Sequence, residues 1–167
     1  ARMNFFMRLM LKLLMPGMSD ILENFRLLEI GCRVPEPDMN AAIEAAKNAD
    51  LTIIVAGTPD NYETEGDDRP SMELPGKQDE FIQAILGANE NSVVVINSGS
   101  PVEMPWADKS RAIVQLWLPG QEGGTALANV LFGLVNPSGK MPVTFPKILA
   151  DNPSFNNYPG DKVVKYE

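Results

Sequence analysis

The stretch "LTIIVAG", residues 51–57, decides the fold. Its run of β-branched side chains is nearly continuous and stops on a glycine, the pattern of a strand buried on both faces of a parallel sheet. Immediately upstream, "DMNAAIEAAKNAD" sets Met39, Ala42, Ile43 and Ala46 on one helical face, with Asp38 in the N-cap position. Downstream, "PGKQDEFIQAILGAN" repeats helical spacing at Phe81, Ile82, Ile85 and Ala88, with Pro75 suited to a first turn. "SVVVINSG" and "AIVQLWL" predict second and third buried strands. "GQEGGTALANVLFG" predicts a third helix ending at Gly133. "MPVTF" predicts one more strand, placed at an edge by Pro142. Helix and strand thus alternate from residue 38 to about residue 146, which predicts an α/β fold: a mostly parallel sheet sandwiched between helices.

That alternation locates function. Ligands of open parallel sheets meet the loops beyond the C-terminal ends of the strands. Three polar loops fall there: "TPDNYETEGDDRP" after the first strand, "NSGSPVEMPW" after the second and "LPGQEGG" after the third. The expected domain, residues 38–167, is preceded by a segment, residues 1–37, read as an N-terminal helical extension or the remnant of a preceding domain. Its "ARMNFFMRLMLKLLM" is apolar but broken by Arg8 and Lys12 and too short to span a bilayer. It lacks the small-residue cleavage site of a secretory signal, so the compartment stays unassigned. The expected form is a helix packed by its apolar face, with a membrane-surface or partner-binding helix as the alternative. The tail "DNPSFNNYPGDKVVKYE" predicts a long loop.

Composition narrows the chemistry. The chain has 167 residues and a formal net charge of −8, without a basic cluster, so nucleic acid is not an expected partner. Histidine is absent and Cys32 is the only cysteine. An intramolecular disulfide, a Cys-based zinc site and Ser-His or Cys-His nucleophile pairs are therefore excluded. Acid–base work falls to carboxylates, lysine or tyrosine. No metal or cofactor is expected.

The acidic loop crowds Glu63, Glu65, Asp67 and Asp68 together. Neighbouring carboxylates and an apolar wall both raise a carboxyl pKa, which a proton donor near neutral pH needs. Gly66 permits a tight turn beside Glu65, and Arg69 can hold Asp67 or Asp68 by a bidentate pair. From the spacing alone, a solvated acidic loop or a cation site is the reading favoured over a proton donor, although the pattern is not an EF-hand loop. "LPGQEGG" lacks the order of a phosphate-binding loop and reads as close backbone packing. Ser98 and Ser100 have no histidine to activate them. Trp106, in a rim loop, suits either a sugar-stacking platform or the core, and Trp117 suits the core.

Taken together, "ETEGDDRPSMELPGKQDEFI", "VVVINSGSPVEMPWADK", "QLWLPGQEGGTALANVLFGLVNPSGKMPVTFP" and "DNPSFNNYPG" resemble the second domain of glycoside hydrolase family 3, the β-glucosidase and β-xylosidase group. The resemblance runs from residue 38 to about residue 166, and "LLEIGCRV" also resembles the exit from an inserted carbohydrate-binding domain of some members. It implies retaining hydrolysis of a β-linked glucoside or other saccharide. In many members the acid/base glutamate lies in a Glu-Gly-x-Asp-Arg motif, here Glu65-Gly66-Asp67-Asp68-Arg69. The resemblance thus implies Glu65 as general acid/base, with Glu63 as the alternative on the same loop. The family's nucleophilic aspartate lies on a (β/α)₈ barrel that this sequence does not contain, and no aspartate here matches it. The implied partner is accordingly that barrel domain or another subunit. The alternative function is a non-catalytic glycan- or protein-binding module derived from the same domain.

Overall fold

The computed structural model describes residues 38–157 and 160–165. The expected N-terminal helix and the "LLEIGCRV" stretch lie outside them. Among the described residues three helices and three strands follow in the order α1 (Met39–Lys47), β1 (Thr52–Gly57), α2 (Gln78–Ala88), β2 (Ser92–Asn97), β3 (Ala112–Gln115) and α3 (Gly123–Leu131), alternating except that no α-helix separates β2 from β3. A short 3₁₀ turn at Ala107–Lys109 lies between β2 and β3, and another at Leu149–Asp151 follows α3. The strands form one parallel sheet in the order β1-β2-β3, with Ile54 opposite Val94 and Val94 opposite Ile113. The protein is therefore an α/β fold, as the alternating pattern predicts.

Local chemistry sets the boundaries. The Asp38 carboxylate accepts from the amides of Asn40 at 3.0 Å and Ala41 at 3.3 Å, so it caps α1 as expected. After α3, the Leu134 amide reaches the Asn129 carbonyl at 2.8 Å and that of Gly133 reaches Val130 at 3.1 Å. With Gly133 at φ 72°, this is a Schellman ending, in which glycine takes the left-handed position without steric cost. Helix α2 starts at Gln78, so Pro75 stands before its first turn rather than inside it. The Gln78 side chain instead turns back to β1: its amide donates to the Gly57 carbonyl and accepts from the Gly57 amide, both at 2.8 Å. It occupies the hydrogen-bonding positions that a neighbouring strand would fill.

The core lies between one face of the sheet and helices α1 and α2. Ile54, Ala56, Val94 and Ile96 meet Ala46, Ile82, Ile85 and Leu86 there, with Leu74, Val102 and Trp106 closing the end. The two-sided burial expected of residues 51–57 is not found. Alternate β1 side chains, Ile53 and Val55, point to the other face and are 45% and 64% exposed. Their apolar character matches a covered face, but among the described residues nothing covers them. β3 also stops at Gln115 rather than continuing to Leu118. Its ladder closes with the Leu116 amide on the Ile96 carbonyl at 2.8 Å, and Trp117 then turns to φ 60°. That left-handed turn breaks the strand and leaves Trp117 only partly buried, edge-on to Phe145 at 6.0 Å, rather than in the core. Residues 141–145 form no strand. Met141, Val143 and Phe145 instead line a groove with Ile113 and Gln115.

Candidate active site

The parallel strands bring the three predicted loops to one rim, and particular bonds tie them together. The Glu63 carboxylate accepts from Thr58 Oγ1 at 2.7 Å, the Gly99 amide at 3.0 Å and Ser100 Oγ at 3.1 Å. Thr58 follows β1, whereas Gly99 and Ser100 follow β2. Arg69 donates to the Pro101 carbonyl at 2.8 Å. It pairs with neither Asp67 nor Asp68, because its guanidinium points inward to the next loop. The end of β3 is tied to the loop after β2 through Gln115, whose side-chain amide donates to the Ser98 carbonyl at 3.0 Å. A β-carbon on Gly99 would lie 3.1 Å from Leu118 Cδ1 and 3.3 Å from Glu63 Oε2, so glycine keeps this junction closed.

The two glutamates differ sharply. Burial pushes the Glu63 carboxyl up, but donors from Thr58, Gly99 and Ser100, together with the nearby Arg69 charge, outweigh it. The net effect holds Glu63 below the ordinary glutamate range, as a fixed anion. Glu65 is exposed, as are Gly66, Asp67 and Asp68. The apolar wall expected beside Glu65 is not present among the described residues. Between the anchors, Thr64 Oγ1 donates to the Asp67 carbonyl at 3.0 Å and shapes the turn.

Trp106 is not a surface platform. It is 0% exposed, and its indole N–H donates to Asp79 Oδ1 at 2.7 Å. The loop after β2 folds inward at this point and the ring fills the end of the core, so neither face is open to a sugar. Burial raises the Asp79 carboxyl. Hydrogen bonds from Trp106 and the Leu74 amide oppose that rise, and the charge of Glu103 adds to it. Asp79 was not singled out from the sequence. Its position two residues inside α2 gave no sign that a tryptophan 27 positions away would reach it.

The remaining loop features are structural. A β-carbon on Gly123 would meet Pro119 Cγ at 2.4 Å, the close packing expected of "LPGQEGG". Ser98 is buried, and its hydroxyl donates to the Ser100 carbonyl at 2.9 Å. Among the described residues, no group of three or more His, Cys, Asp or Glu side chains is placed to hold a metal ion. Nor is any helix among them long and apolar enough to cross a membrane.

Residues 10–167 match the Glycosyl hydrolase family 3 C-terminal domain. The chain is 47% identical over 146 residues to thermostable beta-glucosidase B of Acetivibrio thermocellus, covering 87% of this chain and 19% of that protein. It is 46% identical over 134 residues to the probable beta-glucosidase J of Aspergillus fumigatus, covering 79% of this chain and 16% of that protein. Among solved structures, the beta-glucosidase of Kluyveromyces marxianus in complex with glucose superposes with a TM-score of 0.70 at 41% identity, covering 75% of this chain and 16% of that one. Beta-glucosidase 3B of Thermotoga neapolitana in complex with α-D-glucose gives a TM-score of 0.65 at 31% identity, with coverages of 89% and 24%. The chain therefore spans between about a sixth and a quarter of these relatives.

Proposed function

The chain belongs to the family of glycosyl hydrolase family 3 C-terminal domains, and on that premise we propose that it supplies the general acid/base of a retaining β-glucosidase. Glu65 is the proton donor. It protonates the leaving glycosidic oxygen and later removes a proton from the attacking water. The nucleophilic carboxylate comes from a (β/α)₈ barrel domain, which also binds most of the sugar hydroxyls. The two carboxyls of a retaining pair stand about 5–5.5 Å apart, so the barrel must approach the rim closely. That approach also supplies the apolar wall that desolvates Glu65.

The observation that carries this reading is the contrast on one loop. Glu63 is already saturated by hydrogen-bond donors, whereas Glu65, two residues on, is exposed beside a glycine at the open rim. A proton donor has to be free to meet its substrate, and a carboxylate with three donors is not. The alternative of a sugar-binding module loses its platform with the burial of Trp106.

The test joins the full chain to the nucleophile-bearing part of the Kluyveromyces marxianus enzyme, in place of the matching segment. Hydrolysis of an aryl β-glucoside is expected. Glu65→Ala should lower it roughly 10²–10⁴-fold, the usual contribution of a general acid/base. Azide should restore turnover of substrates with activated leaving groups, because it attacks the glycosyl-enzyme without base assistance. Full activity of Glu65→Ala would remove the assignment.

A further inference from the structure

We infer that Glu63 is a positioning residue, whose carboxylate fastens the loop bearing Glu65 to the loop after β2 and thereby fixes where the proton donor stands. The inference rests on the reading of Glu65 given above.

Three observations carry it. The Glu63 carboxylate bridges two segments: it takes Thr58 Oγ1 at the start of its own loop, and the Gly99 amide and Ser100 Oγ from the next. Arg69 forms a second fastening on the adjacent residue, Pro101. Glu65 therefore sits on a short span pinned at both ends to residues 99–101, two residues after one anchor and four before the other. Within that span residues 64–68 are exposed, so the anchors rather than core packing set its course. Finally, Gly99 leaves just enough room for the carboxylate: a β-carbon there would come within 3.3 Å of Glu63 Oε2. Hydrogen bonds to an ionised acceptor are the stronger kind, so this carboxylate is a firm anchor. Catalysis is sensitive to displacements of about 1 Å in the reacting groups, which gives such an anchor leverage on rate.

The experiment uses the full chain with Glu63→Ala and Glu63→Gln. Amide hydrogen exchange is followed at Gly99, whose amide donates to Glu63. Glu63→Ala is expected to accelerate exchange there at least about tenfold, while strand amides at Val94 and Val95 stay protected, which also verifies folding. Glu63→Gln keeps an acceptor oxygen and should recover most of the protection. Exchange unchanged in Glu63→Ala overturns the proposal whatever the activity. In the joined enzyme, Glu63→Ala should lower kcat about 10–100-fold, with little change in KM. The pH profile should keep its shape, because Glu65 itself is unchanged. A profile that loses its acid/base limb in Glu63→Gln, with exchange undisturbed, would make Glu63 the donor and overturn the proposal. Failure of the Glu65 assignment is read separately, from Glu65→Ala. Were that variant fully active, the fastening would have no donor to position, and the inference would fall with it even if exchange at Gly99 responded.

Discussion

Glu63 and Asp79 are both acids, and their surroundings drive them in opposite directions. Glu63 is held below the ordinary value of about 4.3 for glutamate by its donors and Arg69, despite its burial. In the folded state it therefore binds fewer protons than in the unfolded chain. Its stabilisation is complete above that value and is lost as pH falls through the lowered one. Asp79 is raised above about 3.9 chiefly by burial. It holds its proton longer when folded, so its effect on stability is most favourable at low pH and declines as pH rises through the raised value. Thermal unfolding from pH 3 to pH 7 should separate the two. Glu63→Gln should flatten the acid side of the curve. Asp79→Asn keeps an acceptor for Trp106 and should lessen the decline on the neutral side. Trp106→Ala should cost about 3–5 kcal/mol, because it empties the largest fully buried site and leaves Asp79 without its indole donor. Denaturant unfolding measures that loss.

At the level of single elements, the one-sidedness of β1 has a direct test. Ile54→Ala should destabilise by about 2–5 kcal/mol, since Ile54 is 4% exposed and packed in the core. Val55→Thr, next to it but 64% exposed, should stay within about 0.5 kcal/mol. Equal losses at both positions would show that the second face is covered after all. Asp38→Ala should cost about 1 kcal/mol through its lost cap. The features that the sequence announced are local ones. Asp38 and Gly133 do their work within a few residues, so their chemistry can be read without knowing the fold. Residues 51–57 were recognisable as a strand for the same reason. Whether Ile53 and Val55 meet a neighbour is not local, and apolar character on both faces gave no way to tell. The break after Gln115 depends on Trp117 adopting φ 60°, which a bulky side chain seldom does and which its neighbours in sequence do not require.

Across the molecule, the same division applies to the candidate site. Glu65 could be proposed from the sequence because its motif is short and contiguous. The anchoring by Glu63 could not, because its donors at Gly99 and Ser100 come from 36 and 37 positions along the chain. Only the parallel sheet, by delivering both loops to one edge, makes them neighbours. The chain covers 16% of one relative and 19% of another. If the nucleophile resides in a separate domain, as proposed, the chain alone should give negligible turnover of aryl β-glucosides. Robust hydrolysis with retention by the purified chain would overturn that expectation.

The two tryptophans turn this arrangement into a pair of optical reporters. Trp106, sealed from water, should emit at short wavelength and resist acrylamide, so its signal follows global unfolding. Trp117 is partly open in the rim loop beside Phe145 and should be quenched readily. A change in quenching at Trp117 with Trp106 unaltered would register an event at the rim, such as docking of a second domain, without any label.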